Sequence, residues 1–168
     1  LAFSYHKKLD YENALKFYDL ALAKEPDNYS LNYNRAITLH ALTRYAETIS
    51  AYEKVLSLKE DDVIKTNLLA ALIENGYALL DSKKYDEAIS SFEKAQGLNS
   101  SEASIYMGIA IVYREQNNSE KALVCYKKAY DLDSKNEEYK ACYESFRDSL
   151  STEVLNNIKK QKRIIFFR

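Results

Sequence analysis

The chain has 168 residues, 46% of them hydrophobic and 29% charged, which is enough apolar material for one sizeable soluble domain. Its 24 Lys and Arg against 25 Asp and Glu leave a formal charge of −1, which excludes a global field for drawing in nucleic acid. No apolar run reaches the roughly eighteen residues of a membrane-spanning helix, and 3 Gly with 1 Pro leave little material for sharp β-turns, so the composition favours helices.

Fifteen Tyr and no Trp suit helix interfaces that are only partly dry, because Tyr is apolar bulk with one polar tip. Cys125 and Cys142 fall in helical segments without CxxC spacing and read as buried, reduced thiols. With no signal peptide in view, these features predict a cytoplasmic location. The chain lacks an initiator Met and opens in mid-pattern, so earlier residues are expected to be missing.

In chain order, the predicted elements come as helix pairs. The first helix of a pair carries a small residue and, three on, a bulky one: Ala2–Tyr5, Ala36–Leu39, Gly76–Leu79 and Ala110–Tyr113. The second carries small–aromatic–small at spacings of four and three, which places the three on one face: Ala14–Tyr18–Ala21, Thr48–Tyr52–Val55, Ala88–Phe92–Ala95 and Ala122–Tyr126–Ala129. Successive offsets from Ala14 are 34, 40 and 34 residues. Tyr11, Tyr45 and Tyr85 open three of the second helices; Ser119 stands there in the last, a departure expected to loosen that turn. The six extra residues 63–68 continue the apolar spacing and predict one long helix over 63–80, lengthened by about 9 Å, with Asp62 near its start. After Asn136, Tyr139, Tyr143, Phe146 and Leu150 recur at four, three and four, opposite Glu138, Lys140, Glu144 and Arg147. This amphipathic helix is expected over the open end of the last pair. A last segment, capped by Ser151 or Thr152, presents Val154, Leu155 and Ile158 and ends KKQKRIIFFR.

The small–bulky and small–aromatic–small pattern at a 34-residue period resembles the tetratricopeptide repeat, a helix–turn–helix unit. The resemblance covers residues 1–136, with units 1–28 (truncated), 29–62, 69–102 and 103–136, a capping helix at 137–150 and a basic, apolar helix or tail at 151–168. The Pro that often closes a unit is present only as Pro26; Glu60, Ser100 and Ser134 stand in its place, and the usual aromatic before the small residue of the first helix is seen only as Tyr106. The resemblance implies an all-α fold, a right-handed α-solenoid of antiparallel helix pairs whose first helices line a concave groove. In register, the groove columns are Phe3, Ile37, Tyr77 and Ile111; Tyr33, Ile73 and Met107; Asn34, Glu74 and Gly108; and His6, His40, Leu80 and Arg114. Such a groove is apolar and aromatic with few charges and suits a protein or peptide with apolar anchors. The alternative, that Ile37 or Ile73 packs only on neighbouring helices, stays open. Asn34 matches a family Asn that holds ligand backbone. The family variant that clamps chaperone carboxylates needs basic residues, and here Ala70 and Glu74, or Ser104 and Gly108, occupy those places.

No GxGxxG, P-loop, HExxH or GxSxG occurs, and the expectation is a non-enzyme without cofactor or metal. His6 and His40 are 34 apart, but Leu80 and Arg114 follow in their column, so no third ligand lines up. The sequons at Asn28, Asn99 and Asn117 fit chance in a chain rich in Asn and Ser. Lys159, Lys160, Lys162 and Arg163 precede the apolar residues 164–167; docking on protein, in the chain's own groove, in a neighbour's or on a further part of a parent chain, is preferred over contact with a membrane surface or nucleic acid. The expected role is a protein–protein interaction scaffold. The alternatives are a regulatory or targeting domain of a larger protein and a module that self-associates through residues 151–168. Replacing Tyr33 and Tyr77 together by Ala is expected to weaken partner binding without unfolding the chain.

Overall fold

A computed structural model describes residues 10–152; Phe3, His6 and the tail beyond Thr152 lie outside the described residues. Those residues form eight helices and no strand: α1 Tyr11–Leu22, α2 Tyr29–Ala41, α3 Tyr45–Leu58, α4 Asp62–Asp81, α5 Tyr85–Leu98, α6 Ala103–Glu115, α7 Ser119–Leu132 and α8 Glu137–Ser149. This is an all-α repeat fold of the solenoid class. The extra residues 63–68 lie inside the long α4, as the unbroken apolar spacing predicts. None of these helices is long and apolar enough to cross a membrane.

Side-chain oxygens start five of the helices, with Asp61 accepting from Val63 N–H at 2.8 Å at the start of α4. In the other four, Asp10, Asn28, Asn118 and Asn136 each accept from a backbone N–H of the first turn, at 3.1 to 3.4 Å. The helix ends are also alike. Thr43, Lys83 and Asn117 occupy the same place in three turns, and each takes a left-handed conformation, with φ of 55°, 59° and 58°. In each turn that residue's N–H bonds the carbonyl three back, and the next N–H bonds the carbonyl five back, at 2.8 to 3.1 Å. This left-handed C-cap satisfies carbonyls that the helix end would leave bare. The turn before Ser119 has the same bonds as the other two, and Asn118 adds a side-chain cap. The expected loosening is therefore absent: backbone hydrogen bonds make the turn, and the missing Tyr is not part of them.

By contacts the chain divides into two compact units, residues 1–75 and 76–168. In the first, α1 packs on α2 and α2 on α3. Ala14, Tyr18, Ala36, Leu39, Tyr52 and Val55 are buried there, small residues facing aromatic ones. Thr38 and Thr48 are buried at small-residue positions because their hydroxyls bond carbonyls one turn back, at 2.7 and 3.0 Å, which removes the cost of an unpaired polar group.

In the second unit α5 packs on α6, α6 on α7 and α7 on α8. Phe92 is fully buried between two glycines: a Cβ on Gly76 would stand 2.6 Å from its ring, and one on Gly108, 2.3 Å. The small residues here make room for one aromatic side chain. A second core joins Met107, Ala110, Ala122, Tyr126 and Ala129, and α8 lays Tyr139, Cys142, Tyr143 and Phe146 against it. Tyr126 and Phe146 are 5.1 Å apart between ring centres, and Tyr130 stacks on Tyr143 at 6.0 Å. Tyr139, Cys142, Tyr143 and Phe146 stay half-buried and Ala141 is exposed, as on a helix with one neighbour.

Candidate partner-binding surfaces

Helical spacing puts Tyr33, Asn34, Ile37 and His40 on α2 and Ile73 and Glu74 on α4, all in the first unit. His40 and Glu74, 34 residues apart, meet: Nε2 lies 2.7 Å from Oε2, with the imidazole N–H donating to the carboxylate. The Tyr45 hydroxyl lies near enough to Glu74 to feel its charge. The His40 ring stands edge-on to Tyr45 at 6.1 Å and to Tyr52 at 6.3 Å. Burial, aided by Tyr33 and Glu74 nearby, pushes the Tyr52 hydroxyl up to about 12. Tyr45 is pushed up by desolvation and then by the Glu74 charge.

Tyr33 is half-buried and stacks on Tyr29 at 6.4 Å. Tyr29 is anchored in turn, its hydroxyl donating to Asp61 at 3.0 Å. Ile37 and Ile73 are also half-buried, so each keeps part of its side chain in solvent. Asn34 gives its carbonyl to Thr38, and its side-chain amide makes no hydrogen bond among the described residues.

In the second unit Tyr77, Leu80, Ile111 and Arg114 line a cleft of about 330 Å³, completed by Asp81, Lys83, Tyr85 and Glu115. Its charges are already paired in part: the Arg114 guanidinium donates to Glu115 at 2.9 and 3.3 Å and to the Tyr126 hydroxyl at 3.3 Å. Tyr77 is held by the fold. Its ring meets Phe92 edge-on at 5.2 Å, its hydroxyl donates to the Ser104 carbonyl at 2.9 Å, and burial drives its ionisation well above the ordinary tyrosine range. Removing it together with Tyr33 would therefore disturb the fold as well as a surface. Met107 is 7% exposed and belongs to the core under α8, and Gly108 serves the Phe92 packing.

The neighbours Tyr45, Tyr52 and Tyr85 lie outside the groove columns, although spacing carries a signal for Tyr52. The residue twelve places before each second-helix aromatic is His6 for Tyr18, His40 for Tyr52, Leu80 for Phe92 and Arg114 for Tyr126. A polar residue precedes each Tyr and an apolar one precedes the Phe. The structure brings two of these pairs together, His40 with Tyr52 and Arg114 with Tyr126. Among the described residues no group of three or more His, Cys, Asp or Glu is placed to hold a metal ion. Cys125 is pushed up to about 11 by burial, as suits an inert thiol.

Two family models match. One described as tetratricopeptide repeat covers residues 29–62, and one described as regulator of microtubule dynamics protein 1-3 covers residues 68–154. Among curated proteins, DnaJ homolog subfamily C member 3 of Mus musculus and that of Homo sapiens are each 33% identical over 90 residues, which is 54% of this chain and 17% of theirs. The match thus spans under a fifth of those relatives. Among solved structures, MamA from Desulfovibrio magneticus RS-1 (residues 41 to the end) is 22% identical and covers 96% of this chain and 91% of that one, with a TM-score of 0.59. A MamA structure described as MSR-1 C2 is 26% identical over 80% of this chain and 74% of that one, with a TM-score of 0.55.

Proposed function

Because the chain belongs to the tetratricopeptide-repeat family, and over residues 68–154 to the family described as regulator of microtubule dynamics protein 1-3, we propose that it is a non-enzymatic scaffold that takes a peptide or helix of a partner on the exposed faces of its first helices. One observation carries this reading. The core of the first unit closes on Ala14, Leu39, Tyr52 and Val55, and Tyr33, Asn34, Ile37 and Ile73 are left half-exposed beside Glu74. Apolar side chains spared by the core, with the Asn34 amide among them, are what a docking peptide buries and bonds. The description of the second family supports placing this scaffold in the control of microtubule dynamics. As a module of a longer protein it would serve the same way, by tethering.

Tyr33→Ala tests the surface. The ring stacks only on Tyr29 among the described residues, so the melting temperature is expected to stay near wild type. Capture of the chain's partners, and any change the full chain makes to growth of microtubules from purified tubulin, should fall about tenfold, the loss of one aromatic anchor. Unchanged capture and unchanged growth would overturn the assignment.

A further inference from the structure

The near-zero charge of this chain conceals two opposed parts. Residues 10–75 hold seven Lys and Arg against eleven Asp and Glu, and residues 76–152 hold ten against thirteen, so the described residues carry −7. Residues 153–168 hold five against one, a charge of +4. A basic segment joined to an acidic body has an electrostatic partner in every copy of the molecule.

The first unit offers a defined place for it. Its cations are largely paired: Arg35 with Asp19, Arg44 with Glu47, Lys54 with Asp27 and Lys65 with Glu60. Glu74 differs. Its carboxylate receives the His40 imidazole, has no Lys or Arg within ion-pair distance among the described residues, and keeps 46% of its side chain exposed. Tyr33, Ile37 and Ile73 are half-exposed; the first two lie at helical spacing from His40, which touches Glu74, and Ile73 precedes Glu74 in the chain. A carboxylate set among tyrosines and aliphatic side chains fits a cation whose neighbours along the chain are apolar: the charge meets Glu74 and the faces of the rings, and the apolar neighbours are buried beside it. Residues 162–167, Lys-Arg-Ile-Ile-Phe-Phe, have that order.

We propose that residues 162–167 of one copy dock on the Tyr33–Ile37–Ile73–Glu74 surface of a second copy, with Arg163 on the Glu74 carboxylate and the Ile and Phe side chains on Tyr33, Ile37 and Ile73. This rests on the reading of that surface as a binding surface and names its occupant. Donor and acceptor are different parts of the chain, so each contact is heterologous: two copies close reciprocally, or further copies add head to tail. Self-association then competes with any other peptide for the same surface, and salt weakens it.

The test uses the full chain in sedimentation velocity. Wild type should gain average mass with concentration at low salt and lose it at high salt. Glu74→Lys, which breaks the surface, and the pair Lys162→Glu with Arg163→Glu, which breaks the segment, should each self-associate about tenfold more weakly or not at all. Mixed, these two variants should form a complex, because one brings an intact segment and the other an intact surface. If Glu74→Lys fails to fold by circular dichroism, Glu74→Gln takes its place. A mixture that stays monomeric overturns the proposal. So does a wild type that is monomeric at every concentration while a synthetic peptide of residues 159–168 binds only the segment-broken variant, since the segment would then lie on its own chain. Binding of the wild type to anionic vesicles without self-association likewise assigns the segment elsewhere. Loss of partner capture by Tyr33→Ala alongside a monomeric mixture would reject this docking and leave the scaffold reading standing; failure of both would reject the two together.

Discussion

The second-helix aromatics Tyr52, Phe92 and Tyr126 meet different neighbours. Tyr52 and Tyr126 carry hydroxyls and face His40 and Arg114; Phe92 carries none and lies against Gly76 and Gly108. Because the Phe92 ring is fully buried and rigid, Gly108→Ala and Gly76→Ala should each cost about 1–3 kcal/mol by overpacking. Gly97, with nothing near its added Cβ, should instead gain up to about 1 kcal/mol as Ala from helix propensity. Urea denaturation of the three variants checks this, and Phe92→Leu should relieve part of the Gly108→Ala cost in a double-mutant cycle. The tyrosines also set a pH limit. Burial raises the ionisation of Tyr18, Tyr52, Tyr77 and Tyr126, so the folded chain holds those protons more tightly than the unfolded chain does. Their contribution is whole below the ordinary tyrosine value of about 10 and is lost as pH climbs from there through about 12, where Tyr52 titrates. Circular dichroism should show the chain unfolding across that window, and Tyr52→Phe should lose less stability between its ends.

At the scale of the element, the repeated device is the left-handed turn residue. Thr43, Lys83 and Asn117 all take positive φ, and the strain differs by residue type: β-branched Thr suffers most, Asn least. Thr43→Gly should raise stability by up to about 1 kcal/mol, net of the entropy that Gly adds to the unfolded chain, and Asn117→Gly should gain less. Chemical denaturation ranks them; an equal or inverse order would show that these turns are set by contacts beyond their own backbone. The elements themselves were legible. The bulky and small residues recur at helical spacing, so the helix pairs, the long α4 and the amphipathic α8 follow from local periodicity. The turn before Ser119 was harder, because its geometry depends on hydrogen bonds and not on the side chain that changed.

Across the whole molecule, charge is the property most easily missed, since the total of −1 averages an acidic body with a basic end. Trans-complementation of the two charge-reversed variants tests whether that contrast is used between copies. Which residues share a helix face was legible too, and Tyr33, Ile37 and His40 do lie on one face of α2. How deep each lies was not. Met107 and Tyr77 fall in groove columns by spacing, and yet Met107 lies under α8 and Tyr77 is pinned to Phe92 and Ser104.

The amino-acid order alone determined the repeat, the helices and the pairing of small residues with aromatic ones, because helix periodicity and side-chain size are properties of a short stretch. Only the tertiary structure decided that Glu74 is held by His40, that two glycines enclose one Phe, and which apolar side chains are left in solvent. Those outcomes depend on the volume and polarity that other helices bring to the same place, and no window of local sequence contains them.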